Sequence, residues 1–144
     1  MNFFETKIES FMFNVSYSDI TDSGLTKTLN IPNYFGGNSN IEYLLGIYGR
    51  VVTPFAGING SVVMEIGDST NANYIMAGVN LVLAAIDQEL PTHKGNSSLV
   101  MCENYLKVLH HPNIPVMTFT SSKDALSGLT AGVVELVVVN LRRV

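Results

Sequence analysis

The chain has 144 residues, the size of one domain with room for a core that needs neither metal nor disulfide. Its formal charge is −4, from 12 acidic and 8 basic residues, and it has no basic stripe to neutralise phosphates, which sets direct nucleic-acid binding aside. Hydrophobic residues make up 47% and charged residues 14%, against a usual charged share of about 25%, so neighbours are expected to cover part of the subunit's exterior.

In chain order, Met1 to Ser10 stands apart. Phe3, Phe4 and Ile8 with Phe11 fit either a short amphipathic helix or an extended arm that docks on a neighbour. The segment carries Glu5 and Glu9 and no long apolar run, so neither a signal peptide nor a membrane span is expected. From Phe11 the period changes to two: Phe11, Phe13, Val15 and Tyr17 alternate with Met12, Asn14 and Ser16, the pattern of a half-buried strand. Asp19 to Gly24 has turn composition, and Leu25, Lys27, Leu29 and Ile31 form a second alternating run ended by Pro32. Asn33 to Asn40, with Gly36 and Gly37, reads as a loop.

Ile41 to Phe55 is a longer apolar stretch. Gly46 and Gly49 inside it point to a bent or bulged strand. Gly57, Asn59 and Gly60 form a tight turn before Ser61 to Ile66, and the two strands are expected to pair as a β-hairpin. Asn71 to Ile86 is ambiguous between helix and strand. The expectation is a short helix or loop at Tyr74, Ile75 and Met76, then a strand from Val79 to Ile86. Pro91 to Asn96 reads as a turn. Ser98 to Cys102, Val116 to Ser121 and Val133 to Leu141 complete the strands, with Pro112 and Pro115 confining the middle stretch to an edge or a loop. The last of these is rich in β-branched residues and reads as an apolar run, which implies burial on both faces. Short strands spaced by turn signals, with little helix, predict an all-β domain: an antiparallel β-sandwich or jelly roll over residues 11–144, preceded by an arm or helix over residues 1–10.

Chemistry-bearing residues are few. Gly67-Asp68-Ser69 sets a hydroxyl beside a carboxylate, but no histidine lies nearby and Asp and Ser are ordinary turn formers after a strand. His110 and His111 are adjacent, so on a strand they point to opposite faces and do not grip one ion; His93 and Cys102 are the other donors a metal would have to recruit. Cys102 is the single cysteine, which rules out an intrachain disulfide and fits a reducing compartment. Beside Val100 and Met101 it reads as a small core hydrophobe, not the thiolate of a Cys102–His110 dyad. The glycines at 36–37 and 57–60 match neither a P-loop nor a dinucleotide fingerprint. No catalytic residue, metal site or cofactor is expected.

Two segments carry a resemblance. One runs from Val51-Val52-Thr53-Pro54-Phe55 through the Gly57–Gly60 turn into Ser61-Val62-Val63-Met64-Glu65-Ile66-Gly67-Asp68-Ser69-Thr70-Asn71-Ala72-Asn73-Tyr74-Ile75-Met76. The other is Leu129-Thr130-Ala131-Gly132-Val133-Val134-Glu135-Leu136-Val137-Val138-Val139. Together they resemble the small β-rich virion proteins of tailed bacteriophages, the decoration, auxiliary-capsid and neck or tail accessory class. Asn80 to Leu90 and Pro112 to Pro115 depart from that pattern. The resemblance implies a non-enzymatic structural virion protein, made in the host bacterial cytoplasm and located in the virion. Its most direct form is an auxiliary or decoration capsid subunit that stabilises the head through intersubunit contacts. Its partners would be the major capsid protein or other virion proteins, with homo-oligomers and with neither nucleic acid nor membrane. A neck or tail ring or adaptor is the alternative within that class; outside it stand a carbohydrate- or host-receptor-binding module and, last, an enzyme. The expected contact residues are Phe3, Phe4 and Ile8 of the arm and Val133, Val134, Val137, Val139 and Leu141 of the terminal strand.

Overall fold

The computed structural model describes residues 1, 3, 5–31, 42–67, 71–72, 76–84, 86, 107–109 and 116–143, the side chains of 42–45, 77, 107–109 and 142–143 excepted. Among the described residues eight strands follow one another: β1 (Thr6–Ser16), β2 (Thr26–Asn30), β3 (Glu42–Ala56), β4 (Val62–Gly67), β5 (Met76–Asn80), β6 (Lys107–Leu109), β7 (Val116–Ser121) and β8 (Ala131–Arg143). Short helical turns at Tyr17–Ile20 and Leu126–Gly128 are the only helix among the described residues.

The strands form two antiparallel four-stranded sheets, in the orders β1-β8-β3-β6 and β2-β7-β4-β5. The pairings β1·β8, β2·β7, β3·β6 and β4·β5 are nested, each strand of the first half meeting its counterpart in the second. A long hairpin rolled onto itself gives this order, which is the jelly roll.

The period-two pattern builds the core directly. Val15 of β1, Ile47, Val51 and Phe55 of β3, and Val134, Leu136 and Val138 of β8 point inward from the first sheet. Val62, Met64 and Ile66 of β4, Met76 and Val79 of β5, and Met117 and Phe119 of β7 meet them from the second. Burying a side chain of this size contributes about 1.5–3 kcal/mol.

One end of the sandwich is tied by its turns. Asn59 N–H and side-chain Nδ2 both donate to Asp124 Oδ2, at 2.8 and 3.0 Å. Ser61 N–H donates to Ser122 Oγ at 2.8 Å, and Thr130 N–H to the Ala56 carbonyl at 2.9 Å. The β1–β2 turn joins them: Ser127 N–H donates to the Asp22 carbonyl at 2.8 Å and Leu126 N–H to that of Gly24 at 3.1 Å. Three connections distant in sequence thus close over one end of the core.

Several expectations change. β3 and β4 are not a hairpin; they lie in different sheets. The ladder of β3 with β8 slips between Val51 and Thr53 and again between Thr53 and Ala56, where the strand leaves its partner. Leu81 then bridges the sheets, accepting from Phe55 N–H at 3.1 Å and donating to the Val62 carbonyl at 2.8 Å. The strand expected from Val79 to Ile86 is instead Met76–Asn80; Asn80 Oδ1 accepts Val82 N–H at 3.1 Å and turns the chain. β7 is not an edge strand but lies between β2 and β4. Pro112 and Pro115 precede it, so their missing N–H groups do not interrupt its ladder. The expected bulge in β3 is present at Leu44/Gly46, with none at Gly49. The boundary drawn between residues 10 and 11 falls inside β1, whose residues from Thr6 pair with β8. The strand expected over Ser98 to Cys102 lies outside the described residues.

Candidate interface on one sheet face

The antiparallel register between β1, β8 and β3 decides what the first sheet shows to the outside. Directly opposed residues share a face. Ile8 faces Leu141, Ser10 faces Val139, Met12 faces Val137, Asn14 faces Glu135 and Ser16 faces Val133. Across β8, β3 sets Gly46 beside Val139, Tyr48 beside Val137, Arg50 beside Glu135 and Thr53 beside Val133. These rows lie opposite to the core-facing set of Val15, Val134, Leu136 and Val138.

The outer face is divided along its length. Towards the start of β1 and the end of β8 it is apolar: Ile8 is 66% exposed, Met12 68% and Tyr48 46%, with Val137, Val139 and Leu141 half-buried between them. The Tyr48 ring lies over Gly46, so close that a Cβ there would stand 2.8 Å from a ring carbon. Towards the other end the face turns polar at the Asn14–Glu135–Arg50 row, where Arg50 Nε donates to Glu135 Oε1 at 3.1 Å.

The second sheet presents a different exterior. Thr26 faces Thr120 and Thr28 faces Thr118, whose hydroxyls lie 3.5 Å apart, with Glu65 opposite Thr118 on β4. One outer face is therefore rich in hydroxyls and the other in aliphatic side chains. Water solvates the first at little cost. The second is the surface whose burial against a partner is favourable.

The expected contact residues divide accordingly. Ile8, Val133, Val137, Val139 and Leu141 share the outer face, and the pairing of β1 with β8 brings the two chain ends together there. Val134 is corrected: it is fully buried against the opposite sheet and is unavailable to a partner. Phe3 is 87% exposed, and Phe4 lies outside the described residues. Met12 and Tyr48 were missed. Once Phe11, Phe13 and Val15 point inward, Ile8 and Met12 must point outward, and that was the available signal.

Three comparisons bear on the chain. No family model matches it, and a search of curated proteins finds no match. Among solved structures, a chain of the cyanophage Pam1 capsid asymmetric unit has the same fold, with a TM-score of 0.59 at 13% sequence identity. The superposition covers 98% of this chain and 89% of the other. At that identity the likeness speaks for a shared fold.

The chemistry-bearing residues singled out in the sequence, Asp68, Ser69, His93, Cys102, His110 and His111, lie outside the described residues. Among the described residues, no group of three or more His, Cys, Asp or Glu side chains is placed to hold a metal ion.

Proposed function

We propose that this chain is a structural protein of a bacteriophage virion, an auxiliary or decoration subunit that stabilises the head by burying the apolar outer face of β1, β8 and β3 against neighbouring virion proteins. The observation that carries the reading is the contrast between the two sheet exteriors, one aliphatic around Ile8, Met12, Val137 and Leu141, the other lined with threonines. Two further points support it. The chain shares its fold over nearly its whole length with a chain from a cyanophage capsid, and its segments 51–76 and 129–139 resemble phage accessory proteins. The reading is of a contact surface, with no catalytic step assigned.

The test uses particles from a virus whose copy of this gene is disrupted. Wild-type protein added back should co-sediment with the particles and protect them against heat. Met12→Asp, which places a charge in the apolar strip, should bind at least roughly ten-fold more weakly, since an unpaired charge is costly to bury. Equal binding by Met12→Asp would remove this face from the account. The same face would serve a ring or adaptor at the neck or tail, and the number of copies per particle separates the two.

A further inference from the structure

We infer that the chain closes itself with an isopeptide bond, formed between the Lys7 amine of β1 and the Asn140 carboxamide of β8, with Glu9 as the proton carrier. The inference goes beyond the virion reading and does not depend on it.

Asn140 is an unusual core residue. It continues the inward series Val134, Leu136 and Val138 of β8 and is 1% exposed, yet neither its Oδ1 nor its Nδ2 meets a hydrogen-bond partner. Burying a carboxamide with none of its bonds made is costly. An aliphatic side chain would extend the core without that cost, so packing alone does not account for an asparagine here.

The register supplies the chemistry around it. β1 runs antiparallel to β8, with Glu9 directly opposite Asn140 and Lys7 one step further along the same face, opposite Arg142. The Glu9 side chain is 13% exposed, and Lys7 Nζ lies 3.4 Å from its Oε1. Lys7 is therefore a diagonal neighbour of Asn140. Diagonal pairs in an antiparallel sheet stand about 7–8 Å apart, within reach of a long side chain. The Lys7 side chain is 61% exposed at the sheet margin, and its flexible four-carbon stem can turn the amine inward past Glu9. One face thus carries a nucleophilic amine, a carboxamide to be attacked and a carboxylate beside both. These are the groups that exchange of one amide for another requires.

The step balances within the chain. Lys7 Nζ gives up a proton to Glu9 and attacks Asn140 Cγ. The Nζ–Cγ bond forms and the Cγ–Nδ2 bond breaks. Glu9 takes two protons from Nζ in turn and passes both to Nδ2, which leaves as an ammonium ion. No oxidant, cofactor or second reactant enters, and Glu9 is regenerated. The product ties the first strand to the last, closing the chain from residue 7 to residue 140 into one loop, and such a link restricts the unfolded chain.

The experiment is the intact mass of the purified full chain, followed by fragmentation of its proteolytic digest. A mass below that of the sequence by one ammonia is expected, with a branched fragment that joins the Lys7 peptide to the Asn140 peptide. Lys7→Arg keeps a cation beside Glu9, and Glu9→Gln keeps the shape of the side chain. Each variant should show the full mass of its own sequence and lose the branched fragment, a change that a purely structural role for these residues would not produce. A wild-type chain at full sequence mass overturns the inference. So does an ammonia loss that maps away from Lys7 and Asn140 or persists in Lys7→Arg. The primary readout is on the wild-type chain, so the test holds even where a variant folds poorly. The shell reading is judged separately, by copies per particle, so either claim can fail while the other stands.

Discussion

Gly132 lies near the start of β8 with φ +142, directly beneath the ring of Phe55, and a Cβ there would run into the ring carbons. Phe55 is itself buried and cannot move aside, being held by its N–H to the Leu81 carbonyl at 3.1 Å. Gly132→Ala therefore combines backbone strain with overpacking and should destabilise the fold by about 3 kcal/mol, read as a lowered denaturation midpoint. Val134 and Val137 test the assignment of faces more finely. Val134 is fully buried and Val137 half-buried on the outer face. Val134→Ala should cost about 2 kcal/mol through the cavity it leaves. Val137→Ala should change the isolated subunit by less than about 1 kcal/mol and show its effect in binding to particles. Equal destabilisation by both would mean that β8 is covered alike on its two faces.

At the scale of the element, β1 is divided between two roles. From Thr6 onward it is paired with β8, whereas Met1 and Phe3 are exposed. Removing residues 1–5 should leave the melting temperature unchanged and weaken particle binding. Removing residues 1–10 strips the ladder opposite Val139 to Arg143 and should lower the melting temperature as well, as a thermal melt of the two truncations would show. Full particle binding by the shorter truncation would rule the arm out as a contact. The sequence made β2, β4, β8 and the part of β1 from Phe11 onward legible, because each alternates or is rich in β-branched residues. It did not reveal the end of β5, where the apolar run to Ile86 masks the turn made by Asn80. The turn at Gly57 to Gly60 has the composition of a hairpin, and a sheet-to-sheet crossing uses the same residues. The candidate interface was half legible: the valine-rich stretch of β8 by itself reveals no inside or outside, and the faces of β8 are decided by its pairing with β1.

For the molecule as a whole, the jelly-roll order places the first and last strands side by side, so both ends of the sequence contribute to one exterior. Burial of Ile8, Met12 and Tyr48 by neighbours offers the isolated subunit stabilisation that its other, threonine-lined exterior does not. A shell repeats such a contact at every equivalent position, and a small gain per subunit becomes a large one for the particle. The most direct test is quantitative mass spectrometry of purified virions to count copies of this chain. A shell subunit should be present on the order of hundreds of copies per particle. A count on the order of a dozen would contradict the shell placement and move the protein to a neck or tail ring, and absence from the particle would contradict the virion reading itself.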